Sequence, residues 1–232
     1  LLQGLANQYL QQYQDIEEGS LDISHLKQQS TAMQALVLRH WLNDAASVWP
    51  DSQCVRALRE DVMFAAEDAE PLFQWQGREI RRFRCQLYLM WPRETHVPAP
   101  AHGFLWQQAP DGRLPALVLP GNGTLRLIQA RQGGMRLPPA DCRVLYRHYG
   151  ADENLLSGSF DCALAGRPRR ALKKILQESG LPPWDRSRAP LVFCGDNLAW
   201  IGGVGVCEGF QAAEDETGWA VNWQLPLAEE PE

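Results

Sequence analysis

The chain has 232 residues, of which 45% are hydrophobic and 22% charged, with a formal net charge of -6. That balance suits a globular core of one or two domains and excludes a disordered chain, a collagen-like repeat and a disulfide-stapled miniprotein. No apolar run reaches the ~18 residues that a membrane-spanning helix needs, so no membrane partner is expected.

Residues 1–14 read as a helix, with Leu1, Leu5 and Tyr9 at i+4 steps. The pattern starts mid-stride and Leu1 is not a start methionine. The expectation is therefore that 1–16 is the tail of an interdomain helix in a fragment of a longer protein. Thr31, Ala32, Met33 and Gln34 read as a capping box opening a helix. Its core stripe is Met33, Leu36, Val37, His40 and Trp41, with His40 a core residue rather than a ligand. Asp51 and Ser52 cap a second helix that turns Val55, Leu58 and Val62 inward. Strand character follows from Leu72 to Leu89, with turns expected at Gln76-Gly77 and Cys85-Gln86. Residues 17–92 thus read as a small α+β domain.

Pro92, Pro98 and Pro100 punctuate the next stretch, so 93–118 is expected to be a linker or extended arm. Residues 119–232 read as a mostly β domain. Strands are expected around 104–106, 116–119, 124–128, 143–146, 191–193, 198–201 and 219–223. One helix is expected over 168–179, with Pro168 at its first position, Gly180 just past its end, and Leu172, Ile175 and Leu176 inward. The fold class is α+β: a small helical and β-hairpin domain followed by a mostly β domain with one well-defined helix.

The six cysteines and five histidines show no CxxC or CxH spacing, so no structural metal site is expected and the cysteines read as buried, reduced thiols. Charge is distributed unevenly. Residues 1–75 carry 4 basic and 11 acidic side chains, 76–147 carry 11 and 4, 148–190 carry 7 and 5, and 191–232 carry none and 8. An acidic protein thus has a basic middle, and its cations are 19 arginines against 3 lysines. Arginine suits forked contacts to phosphate, so this middle points to a polyanion. The helix near 168–179 sharpens the reading, because Arg169, Arg170, Lys173 and Lys174 crowd its first turns and Glu178 its last, each against the macrodipole. Arg170, Lys173, Lys174 and Gln177 fall at i, i+3, i+4, i+7, a stripe able to follow a phosphate backbone, and the helix start offers N–H groups to an anion. Beyond it, Trp184 reads as an apolar anchor while Arg186 and Arg188 extend the basic surface. In the earlier hairpin, alternation places Arg82 and Arg84 on one face and Arg81 on the other. The first pair is expected to face the polyanion and Arg81 to be structural.

The run from Arg169 to Val192, with its LKK, a hydrophobic helix and then PPW-x-R-x-R-x-PLV, resembles the C-terminal domain of bacterial tRNA(Ile)-lysidine synthases. Arg131-Gln132-Gly133-Gly134 resembles that domain's R-x-G-G turn, and Val206-Cys207-Glu208 its closing strand. Met135 departs from the pattern, since the family often has an acidic residue after the glycines. Residues 34–42 and 79–88 resemble the family's substrate-binding middle domain. The resemblance implies an enzyme that uses ATP to attach lysine to C34 of an isoleucine tRNA with a CAU anticodon, in the cytoplasm. It also implies that the chemistry, with ATP and magnesium, belongs to an N-terminal PP-loop domain bearing SGGxDS. This sequence holds no such motif: Ser157-Gly158-Ser159-Phe160-Asp161 is a superficial echo, and Gly202-Gly203-Val204-Gly205 reads as a strand turn. The expectation is therefore a pair of tRNA-recognition domains, without cofactor or catalytic residue of their own and inactive alone. Lysine and ATP would be engaged through the PP-loop domain, and a homodimer of the parent enzyme stays open. The expected RNA-binding residues are Arg82, Arg84, Arg131, Arg169, Arg170, Lys173, Lys174, Arg186 and Arg188. Two other readings stay open: a protein-interaction module whose basic face meets an acidic partner, and a carbohydrate-binding β domain suggested by nine tryptophans.

Overall fold

The computed structural model describes residues 2–16, 19–92, 103–130, 133–136, 141–146 and 161–225. They form two compact units that divide after residue 93. Among the described residues, no helix is long and apolar enough to cross a membrane.

The first unit runs α1 (Leu2–Tyr13), β1 (Gln14–Asp15), β2 (Ser20–Asp22), α2 (Thr31–Ala46), α3 (Ser52–Ala57), a π-helical turn (Leu58–Met63), β3 (Leu72–Trp75), β4 (Arg78–Phe83) and β5 (Gln86–Met90). Its strands form one antiparallel sheet in the order β1-β2-β5-β4-β3. Ala6, Tyr9 and Leu10 of α1 are buried in the same core as Val37, Trp41, Leu58 and Ile80, so α1 is a packed element of this unit. The helix starts differ in one detail from the sequence pattern. Asp51 caps α3 by accepting the Cys54 N–H at 2.7 Å, as expected, but α2 is capped by Ser30, which accepts from Met33 N–H. Gln34 does not reach back to a cap. It is buried, and its amide donates to the carbonyls of Leu26, Lys27 and Gln29 while its oxygen accepts from Arg59 Nε at 2.6 Å. Gln76 and Gly77 both have positive φ, the backbone of a two-residue hairpin turn. The second turn falls at Arg84-Cys85, one residue earlier than expected, with Arg84 at φ 55°.

The second unit contains β6 (Phe104–Trp106), β7 (Leu117–Leu119), β8 (Gly123–Gln129), β9 (Cys142–Tyr146), β10 (Asp161–Cys162), β11 (Arg170–Ala171), α4 (Leu172–Glu178), α5 (Pro183–Arg186), β12 (Pro190–Cys194), β13 (Asn197–Ile201), β14 (Gly205–Val206) and β15 (Trp219–Gln224). All pairings are antiparallel, in sheets ordered β14-β13-β12-β9-β6 and β15-β8-β7, with β10-β11 a separate hairpin. Strands β9 and β12 are covered on both faces. Val144, Tyr146 and Val192 face one core cluster, while Leu145, Leu191 and Phe193 face another built with Leu172, Ile175 and Leu176 of α4. That double burial is why β12 reads as a continuous apolar run and β9 as one broken only by Arg143.

Two expectations change here. The 93–118 stretch is not an arm throughout, because β6 pairs with β9 and β7 with β8; residues 93–102 lie outside the described residues. The expected helix over 168–179 contracts to 172–178. Arg170 and Ala171 instead pair with Cys162 and Asp161, and strand pairing recruits the would-be first turn, where clustered cations already oppose helix formation. The helix still ends as read, with the Ser179 N–H on Ile175 O and Gly180 at φ 88°. Met135 is fully buried and exchanges two backbone hydrogen bonds of 2.8 Å with Trp219. A Cβ on the preceding Gly134 would meet that same Trp219 backbone at 2.9 Å. The glycine turn thus lets one chain press on another, and a methionine after it fills the core.

Candidate nucleic-acid interface

The basic segment of the second unit is presented by a pinned hairpin leading into α4. Leu164 bridges to Cys207, Ala165 N–H donates to Val206 O at 3.1 Å, and Arg167 N–H closes onto Leu164 O at 2.9 Å with Gly166 at φ 68°. The β10–β11 pairing then returns the chain to α4. From Arg167 to Lys174 there are five cations and no acid in eight residues, and all five are exposed. Burial of Leu172, Ile175 and Leu176 turns Lys173, Lys174 and Gln177 outward on one side of α4. Between the hairpin, α4 and β14 lies a groove of about 660 Å³, in which Arg167 and Arg170 are the cations and Glu178 the one acid. Arg170 Nη1 meets Glu178 at 2.8 Å, and Arg169 Nη2 donates to the Asp161 carbonyl at 3.1 Å. The first is an exposed ion pair, which contributes little to stability and gives way readily to a stronger anion. Among the described residues, none forms an ion pair with Arg167, Lys173 or Lys174.

Other arginines expected at an RNA surface are placed differently. Arg82 is 6% exposed. Its guanidinium donates to the carbonyls of Val62 at 3.0 Å, Ala65 at 3.1 Å and Ala66 at 2.5 Å. These are acceptors at and just beyond the π-helical turn, where a helix end leaves carbonyls without partners. Alternation along β4 does separate Arg82 from Arg81, but the Arg82 side is the Ile80 side, which is the core, and Arg84 lies beyond the strand. The expectation of an RNA-facing Arg82 therefore gives way to a structural one. Its expected companion Arg84 is on the turn, exposed and stacked 5.2 Å over Phe83. Arg81 pairs with Glu79 at 2.9 Å.

Arg188 is likewise 6% exposed and is withdrawn from the basic surface. Its Nε donates to Asn122 Oδ1 at 2.7 Å and its Nη2 to Gly121 O, while Asn122 Nδ2 returns a bond to Arg188 O at 2.8 Å. Trp223 Nε1 completes the knot on Asn122 O at 2.8 Å. This network ties the 120–123 turn to the entry of β12 and to β15. Nothing local in the sequence announces it, since the partners are separated by 66 and 101 residues. Arg186 is half-buried and donates to Leu181 O at 2.8 Å, closing the loop that carries the half-buried Trp184. Arg131 and residues 157–160 lie outside the described residues. Arg169, Arg170, Lys173 and Lys174 are brought together, but on a hairpin and a short helix rather than one long helix. With only seven residues α4 offers no substantial N-terminal dipole, so the expected anion site at a helix start is not formed. Sequence reasoning missed Arg167, an exposed groove residue. Its signal was the Arg167-Pro168-Arg169-Arg170 run, which reads as a cationic loop once the helix start is moved.

Two domain families match the chain: the TilS substrate binding domain over residues 21–88 and the TilS substrate C-terminal domain over 155–223. The chain belongs to the TilS family. The second match contains the whole cationic hairpin and α4, and the first contains Arg82 and the π-helical turn it braces. Relatives named tRNA(Ile)-lysidine synthase are 33% identical in Coxiella burnetii over 97% of this chain and 34% identical in Yersinia pseudotuberculosis over 98%. One from Salmonella paratyphi B is 34% identical over 89%. The chain spans about half the length of the curated relatives it matches: 47%, 49% and 44% of these three.

Proposed function

We propose that these two TilS domains are the tRNA-holding region of a tRNA(Ile)-lysidine synthase, and that the segment 167–174 is their phosphate-binding element. The observation that carries the reading is the exposed five-cation segment pinned to a packed sheet inside the TilS C-terminal domain. The role is binding and orientation. Phosphate contacts set the register of the RNA body, so recognition at this surface is by backbone and shape. The ATP-dependent joining of lysine to C34 of the CAU-anticodon isoleucine tRNA, with magnesium, is assigned to a PP-loop domain of the parent enzyme, acting in the cytoplasm. Of the residues expected to touch RNA, Arg84, Arg169, Arg170, Lys173 and Lys174 remain in the proposal and Arg167 joins them. Arg82 and Arg188 leave it, while Arg131, outside the described residues, and the half-buried Arg186 stay proposed as read from the sequence.

The experiment is equilibrium binding of labelled isoleucine tRNA with a CAU anticodon. Competition is by unlabelled tRNA and by heparin matched for charge. Competition by tRNA at much lower charge concentration than heparin is expected. Equal competition by the two would refute tRNA recognition and favour a general polyanion or acidic-protein surface.

A further inference from the structure

Cys142 in β9 and Cys194 in β12 are direct cross-strand partners, with their sulfurs 3.0 Å apart. Directly opposed strand residues have Cα separations of roughly 4.5–5.5 Å, within the ~4.4–6.8 Å that a disulfide spans, so a covalent link requires side-chain closure and no strand movement. We propose that Cys142 and Cys194 are a reversible disulfide site, oxidised by a small-molecule disulfide of the glutathione class, that staples β9 to β12.

The two sulfurs differ in access and in charge. Cys142 is fully buried, whereas Cys194 is half-buried at the strand end before the Gly195-Asp196 turn. With Cys194 ionised, its sulfur accepts from the Cys142 S–H, and the Arg136 guanidinium adds positive potential. Together they outweigh burial and hold the Cys194 thiol below its usual range. Cys142 is pushed up by that same contact, by burial and by the Cys194 and Asp141 charges. Cys194, the more exposed of the two, is the sulfur an external disulfide can reach, so it is the attacking sulfur and Cys142 the resolving one. Attack of the Cys194 thiolate on glutathione disulfide breaks its S–S bond, forms a mixed disulfide and releases one glutathione thiolate, which takes up a proton. Capping Cys194 removes the hydrogen bond and the charge that held the proton on Cys142. Cys142 then loses its proton to water and attacks the Cys194 sulfur, expelling the second glutathione thiolate. Two protein thiols are oxidised and one disulfide is reduced to two thiols, a balanced two-electron exchange. Reduced glutathione reverses it.

The link would close the segment between β9 and β12, which includes the cationic hairpin and α4. It would constrain the unfolded chain more than the folded one, so the oxidised protein is expected to melt roughly 5–10 °C higher. The full chain is incubated with oxidised glutathione, its remaining thiols are alkylated, and its peptides are mapped alongside a melting curve. The expected product is a Cys142–Cys194 cross-linked peptide with the raised melting temperature, both reversed by reductant. With Cys142→Ser the glutathione adduct is expected to accumulate on Cys194, and with Cys194→Ser no cross-link at Cys142 is expected. A folded wild-type protein that yields no such peptide, or that cross-links other cysteines in preference, overturns the proposal. So does a stable glutathione adduct on Cys194 in the wild type.

Discussion

Replacing Lys173 and Lys174 together with alanine tests the interface most directly. Both side chains are exposed on α4, and the helix is docked by Leu172, Ile175 and Leu176, none of which is touched. No described residue forms an ion pair with either lysine, so the fold should be retained. Alanine is a good helix former, and removing cations from the first turn relieves an unfavourable dipole term of at most ~0.3–1 kcal/mol per charge, at the low end here because the helix is short. Stability should therefore stay level or rise slightly. Binding should fall. Each lysine that neutralises one phosphate contributes ~0.7–0.9 to the slope of log K against log salt, so the double variant should flatten that slope by up to ~1.4–1.8. At physiological salt this corresponds to a weakening on the order of 10- to 30-fold. The assay is tRNA affinity across a salt series beside a thermal melt. An unchanged slope with lower stability would make the lysines structural, and an unchanged slope with unchanged stability would make them a solvated face. Either result refutes the phosphate contact.

Arg82→Ala should destabilise the first unit by about 2–4 kcal/mol, because it strands several buried carbonyls; chemical denaturation reads the loss, and a large fall in tRNA affinity of the still-folded protein would contradict the structural assignment. Arg188→Ala and Asn122→Ala should each destabilise the second unit, with a double variant less harmful than the two losses added, since both remove the same network; additive losses would show that the two side chains act independently. Glu178→Gln should tighten tRNA binding modestly by releasing Arg170 from its 2.8 Å partner, with little change in melting temperature; weaker binding would mean that Glu178 positions Arg170 for the RNA.

Helices, strands and family were legible because they rest on local regularities. Apolar spacing placed α2, α3 and the seven longer strands of the second unit, and missed the two-residue strands β10, β11 and β14. The LKK…PPW run carried most of the family resemblance, with residues 34–42 and 79–88 adding the middle domain. The cationic cluster was also legible, since charge density along a chain survives any change in its folding. The tertiary structure decided which cations are available. Arg82 and Arg188 look like their neighbours in sequence, yet one braces a helix end and the other knots a turn to two strands. Their acceptors are backbone carbonyls and an amide brought from 16 to 67 residues away, and such carbonyls have no side-chain signature. The start of α4 was decided in the same way. A proline and helix-forming residues favoured an early start, but pairing of Arg170 and Ala171 with Cys162 and Asp161 competed for the same backbone groups. Local propensity amounts to a few tenths of a kcal/mol per residue, so a partner strand held in place by a packed core outweighs it.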